Sequence, residues 1–186
     1  MHKLLLAIVL CGLFCMPLFA AEYPAAEVFG GYQLLHSEDM NMHGFSGAVE
    51  GNITQNFGIV GEYGLGIKTE TFSGTDVTIK EHSFMAGPRF SYRADKFRVF
   101  GHALFGGNRL SGGASVEGIS AGASTTGFGM AFGGGVDFAA SQRIWIRPVQ
   151  FDVFRIHHSV MDVSGWGTQY RYSAGIVFKF GSKGAN

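Results

Sequence analysis

Two groups of side chains in this sequence are of types that could do chemistry. The first is His157-His158-Ser159. A histidine beside a serine is the beginning of a base–nucleophile pair, which also needs an acid behind the imidazole and a surface where the hydroxyl meets its substrate. A polar connection between two strands would carry the same residues. The second group is divided between HSEDMNMH, from His36 to His43, and HHSVMD, from His157 to Asp162. Together they hold four of the seven histidines and, in Met40, Met42 and Met161, three of the seven methionines. Imidazole with thioether suits copper, and imidazole with carboxylate suits zinc or nickel. Neither segment contains HxH or HxxxH, so a metal site here would be weak and exposed, shared by His36, His43, His157 and His158; the plainer reading is that loops collect polar residues and methionines. No cofactor is expected: the chain has no GxxxxGK[ST], no HExxH and no CxxC.

The composition limits what could position these groups. The chain has 186 residues, enough for one domain, and a formal net charge of zero, which gives nucleic acid no purchase. Only 15% of residues are charged, 14% are aromatic, and the 29 glycines are about twice ordinary usage. The first residues, MHKLLLAIVLCGLFCMPLFAA, join a basic start to a short apolar run and small residues. This reads as a signal peptide, residues 1–21, cleaved after Ala20 or Ala21 to leave a single domain over 22–186. Cys11 and Cys15 leave with it, so the mature chain has no thiol chemistry.

Beyond the signal the pattern is alternation with a period of two, the signature of strands. Eight runs carry it, at 25–36, 43–54, 57–69, 77–92, 97–108, 126–139, 144–156 and 167–180. The run IWIRPVQFDVF breaks parity. Arg147 and Asp152 can face the same way only across a bulge, which Pro148 suits because it donates no ladder hydrogen bond. Connections alternate between short ones (Gln55-Asn56, Ala94 to Lys96, Ala140 to Arg143) and long ones (HSEDMN, ETFSGTD, NRLSGGASVEGISAGASTTG and HHSVMDVSGWGT).

That asymmetry, with an even strand number, predicts an all-β fold: an eight-stranded antiparallel up-and-down transmembrane β-barrel in a bacterial outer membrane. One face of the runs is Gly, Ser, Ala and Asn with isolated charges of both signs, a poor solvent surface and a good lining for a packed lumen. The other is Phe, Tyr, Val and Ile, suited to lipid. Six acids (Glu27, Glu50, Glu62, Glu81, Asp137, Asp152) and five bases (Arg89, Arg98, Arg147, Arg171, Lys179) should face inward and pair. Eight strands leave an interior just wide enough for side chains. A turn of residues 55–57 would set Glu50 directly across from Glu62, where a cation must join them. Phe57, Phe90, Tyr92, Phe97 and Phe138, with Phe178 and Phe180, gather beside the short turns as a periplasmic aromatic girdle. Both termini would then be periplasmic.

The last strand reads SAGIVFKF. Ser173, Gly175, Phe178 and Phe180 match the C-terminal signal read by the barrel-assembly machinery in outer-membrane barrels. With EVFGGYQLL, HSFMAGPRFSYR, HALFGG, FGGGVD, IRPVQFD and YRYSAGIVFKFG, the mature chain resembles the bacterial outer-membrane β-barrel domain family. It is similar to the transmembrane domain of outer-membrane protein A and to outer-membrane protein X. The resemblance implies a non-enzymatic structural or surface-binding envelope protein. Its partners would be outer-membrane lipid, the assembly machinery and an extracellular ligand held by the long loops, with no role for nucleic acid. The alternative is a lipid-modifying hydrolase, since His157-His158-Ser159 at a barrel mouth also resembles the lipid A deacylases.

Overall fold

β-branched and aromatic residues on one side of an alternating run and small residues on the other favour a pleated strand over a helix. The structure, a computed structural model, describes residues 22–37, 40–72, 75–116, 119–160 and 163–184. The expected signal peptide at 1–21, with Met161 and Asp162, lies outside the described residues. The strands are β1 (Ala26–Ser37), β2 (Met40–Asn52), β3 (Phe57–Phe72), β4 (Thr75–Arg93), β5 (Phe97–Val116), β6 (Ile119–Ala139), β7 (Ile144–Val160) and β8 (Val163–Phe180). They pair antiparallel in sequence order, and β1 also pairs with β8, so the sheet closes into a barrel. Closure leaves no open edge within the wall. At the seam Gly31 lies opposite Gly175, and a Cβ on either would strike the backbone of the other strand. Glycine is what lets the two strands approach there.

The connections at one end are tight, closed by Ile53 N donating to Phe57 O at 2.9 Å and Ala94 N to Phe97 O at 2.8 Å. Both ends of the described chain lie here, joined by a bridge between Tyr23 and Lys183. At the other end the structure differs from expectation. The stretches expected to be long loops are largely strand: β5 and β6 pair out to Val116 and Ile119, and β4 accompanies β5 to Asp76 opposite Ser115. The physical reason is that every backbone donor and acceptor needs a partner. Small Gly, Ser and Ala residues let the ladder continue without steric objection.

Two further differences concern register. β2 and β3 pair with Glu50 opposite Val60 and Glu62 opposite Ala48, so the two carboxylates do not face each other across a rung. The turn spans Ile53 to Asn56 rather than 55–57, which shifts the pairing by two. In β7 the register slips between Arg147 and Gln150 against β8, opposite a slip between Val136 and Phe138 in β6. This bulge contains Pro148, and both Arg147 and Asp152 are fully buried.

The interior is less purely polar than the alternation suggests. Phe29, Val60, Met85, Leu104, Phe154, Ile156 and Val177 point inward and are buried. Phe45, Val49, Phe84, Phe132 and Ile176 are exposed on the outer wall. A surface with so many large exposed apolar side chains requires an apolar surrounding.

Candidate functional site in the barrel interior

Every strand sends at least one ionisable or amide side chain into the barrel. At the level nearer the chain ends, Arg98 of β5 is the hub. Its guanidinium pairs with Glu27 of β1 and with Asp137 of β6, its Nε lying 2.8 Å from Asp137 Oδ2. Arg93 of β4 reaches the same Glu27 at 2.7 Å, and Asn52 Nδ2 donates to it at 3.1 Å. Arg89 holds Glu50 of β2 at 2.9 Å. Arg147, brought inside by the bulge, donates from Nε to Asp137 Oδ1 at 2.7 Å and from Nη1 to Gln150 Oε1 at 2.7 Å.

The next level centres on Asp152. Arg171 of β8 contacts it at 2.6 Å and also pairs with Glu62 of β3. Gln150 Nε2 donates to Asp152 at 2.9 Å. His102 joins the two levels: Arg89 Nη2 lies 3.1 Å from its Nδ1, and its Nε2 lies 2.7 Å from Asp152 Oδ1. With Arg89 donating to Nδ1, the imidazole proton is on Nε2 and is donated to Asp152. Gly133 lies opposite Asp152, and a Cβ there would collide with that carboxylate and with the carbonyl of Phe151. Farther up, Glu81 receives amide hydrogens, from Asn108 at 2.8 Å and Gln169 at 3.1 Å.

Aromatic rings fill the space between the cations. The Phe100 ring has Arg89 at 4.4 Å and Arg147 at 4.3 Å from its centroid, Phe29 has Arg147 at 4.4 Å, and Phe154 has Arg171 at 4.7 Å. Desolvated guanidinium over an aromatic face is worth about 2 kcal/mol. The gap bounded by Glu27, Glu50, Arg89, Arg98 and Arg147 has no room for a water molecule. Charges so far from water are tolerable only when each is paired and hydrogen-bonded. Chemically, the arrangement is a set of charges most of which neutralise one another, with Glu81 held by amides instead.

The structure brings ten of the eleven charges named from the sequence into the buried interior, from Glu27 to Arg171. Lys179 is different: it is half-buried, its Nζ 4.5 Å from the Trp145 ring centroid. Arg93, His102, Gln150 and Phe100 were not named. Parity alone carried that signal, since Arg89 and Arg93 share a face, as do Arg98, Phe100 and His102.

Of the C-terminal residues, Ser173 is buried, Gly175 closes the seam, and Phe178 and Phe180 are exposed on the outer wall. Phe90, Tyr92, Phe97 and Phe138 are also exposed at the tight-turn end, and Phe57 packs on Phe90 with ring centroids 5.0 Å apart. Of the four histidines named for a metal site, the side chains of His36, His43 and His157 are described and that of His158 is not. Among the described residues no group of three or more His, Cys, Asp or Glu could hold a metal ion. His36 Nδ1 lies 2.7 Å from Asn41 Oδ1, His43 Nδ1 lies 2.5 Å from the Tyr32 hydroxyl, and the His157 ring packs edge-on against Trp166. Each of these three imidazoles is engaged by a neighbouring strand. The side chains of His158 and Ser159 lie outside the described ones.

Comparison with known proteins bears on the fold. The model of the outer membrane protein β-barrel domain family matches residues 6–180. No curated protein sequence matches the chain. Among solved structures, Ail, the attachment invasion locus protein of Yersinia pestis, in complex with the heparin analogue sucrose octasulfate, is similar. It is 20% identical with TM-score 0.54, over 86% of this chain and 100% of that one. Neisserial surface protein A is 16% identical with TM-score 0.55, over 83% and 96%. A major outer membrane protein from Thermus thermophilus is 9% identical with TM-score 0.52, over 83% and 99%. Identities this low speak to the fold alone.

Proposed function

The chain belongs to the outer-membrane β-barrel domain family, and on that premise we propose that it is a closed-lumen envelope protein whose interior is a plug and whose long hairpins are a binding surface. The observation that carries the reading is the buried network in which Arg98 and Glu27, and Arg171 and Glu62, tie non-adjacent strands together across the barrel interior. Conduction would require breaking several desolvated ion pairs at once, each break costing about 3–5 kcal/mol. In this reading residues 1–21 direct export, the chain ends are periplasmic, and the assembly machinery reads the strand that ends at Phe180. The extended ends of β3 to β6 then stand outside the membrane. The sulfated saccharide analogue bound to Ail supports an extracellular ligand for such hairpins.

The proposed role is non-enzymatic: the His157 ring packs edge-on against Trp166. Release of fatty acid from radiolabelled lipid A by the purified barrel would overturn this. The plug is tested by planar-bilayer recording of the purified protein. No large, stable conductance is expected, and steady porin-like openings would refute a closed lumen.

A further inference from the structure

The outer wall carries a basic patch at the hairpin end. His82 of β4 lies directly opposite Arg109 of β5, and Lys80 stands two residues farther from the chain ends. All three alternate with inward positions such as Glu81 and Asn108, which are buried, so they face outward. The Tyr63 hydroxyl lies 2.9 Å from His82 Nδ1. With that hydroxyl donating, the ring proton sits on Nε2. Arg109 Nη2 reaches the Ser124 hydroxyl only at 3.4 Å. Among the described residues neither Arg109 nor Lys80 has an acidic partner within ion-pair distance, whereas Lys68 nearby is paired with Glu70 at 2.7 Å.

Below the patch, toward the chain ends, the wall becomes apolar and grooved. Phe84 lies opposite Gly107, and Gly107 lies opposite Phe128. A Cβ on Gly107 would meet nothing within 4 Å, so the glycine leaves an open slot between two exposed phenylalanines. Phe105 continues the same outward face one step farther on. A cavity of about 310 Å³ is lined by His82, Phe84, Arg109 and Ser111, where two of the basic side chains meet the first phenylalanine of the slot.

We propose that this is a binding site for a lipid bearing a phosphomonoester headgroup. Its phosphate is held by Arg109, His82 Nε2 and Lys80, and an acyl chain lies over Gly107 between Phe84 and Phe128. Guanidinium, imidazole N–H and ammonium together supply donors for a phosphate that carries more than one negative charge. The unpaired positive charge lies where an apolar wall gives way to polar hairpin, the height at which a lipid headgroup sits beside a barrel. The slot distinguishes an anchored lipid from a free anion.

The test is native mass spectrometry of the folded protein in detergent, with dioleoyl phosphatidic acid, dioleoyl phosphatidylcholine and inorganic phosphate as probes. Wild type should retain phosphatidic acid about tenfold more tightly than phosphatidylcholine. His82→Ala with Arg109→Ala should abolish the preference. Gly107→Leu, whose Cβ would meet nothing within 4 Å, should weaken phosphatidic acid binding while leaving His82, Arg109 and Lys80 in place. Heat-modifiable gel migration reports that each variant is folded, and the single changes Arg109→Gln and His82→Gln replace the double variant if it is not. Equal retention of the two lipids overturns the proposal. So does unchanged preference in a folded cation variant, or displacement of the lipid by inorganic phosphate at the same concentration.

Discussion

Arg171 shows most directly what a single residue contributes here. It is fully buried, contacts Asp152 at 2.6 Å, and also pairs with Glu62. Removing it leaves two carboxylates away from water with one imidazole and one amide to share. Arg171→Ala should therefore lower stability by about 3–5 kcal/mol, read as a reduced midpoint of urea unfolding from lipid vesicles. The pair Lys68–Glu70 has the same chemistry at 2.7 Å, but its glutamate is 48% exposed. Glu70→Ala should change stability by less than about 1 kcal/mol. Equal shifts in the two variants would mean that the interior charges are hydrated.

At the scale of the element, β8 combines two requirements. Its inward residues Arg171, Ser173 and Val177 are buried, while Tyr172, Ile176, Phe178 and Phe180 face out. Lys179 lies between two outward phenylalanines yet points the other way, toward Trp145. Replacing Phe178 and Phe180 together with Ala should reduce folded protein in the outer membrane far more than Lys179→Ala. Each phenylalanine is worth about 1.5–3 kcal/mol when fully removed from water, and an aromatic edge is also what the assembly machinery would read by strand addition. Immunoblots of outer-membrane fractions with unheated samples measure this. Equal levels of the double variant and wild type would remove the signal from the explanation. Gly175 has a reason of its own in the β1–β8 seam, independent of recognition.

For the whole molecule the testable quantity is orientation. The three tight turns and both ends of the described chain lie together, and the four other strand-to-strand connections lie opposite. The mature chain would have no cysteine, so single cysteines are clean reporters. Ser120→Cys should react with a membrane-impermeant maleimide on intact cells, and Asp95→Cys should react only after the outer membrane is opened. The reverse pattern would invert the barrel in the membrane.

Strand number, antiparallel order, closure and location were legible in the sequence, because a period of two with aromatic residues on one face and small residues on the other has few physical solutions. The inward placement of Arg147 and Asp152 was legible for the same reason, since Pro148 marks where parity breaks. Register was not. Whether Glu50 faces Glu62 or Val60 depends on the turn from Ile53 to Asn56, where a shift of two keeps every side chain on its proper face. Alternation is blind to such a shift. The partners were not legible either: that Arg98 reaches Glu27 across 71 residues of chain follows from barrel closure, which brings β5 and β1 to face each other across one narrow interior. The hairpin ends of β5 and β6 read as loop because Gly, Ser and Ala have weak strand preference. Only the tertiary ladder, by giving each backbone group a partner, makes them strand.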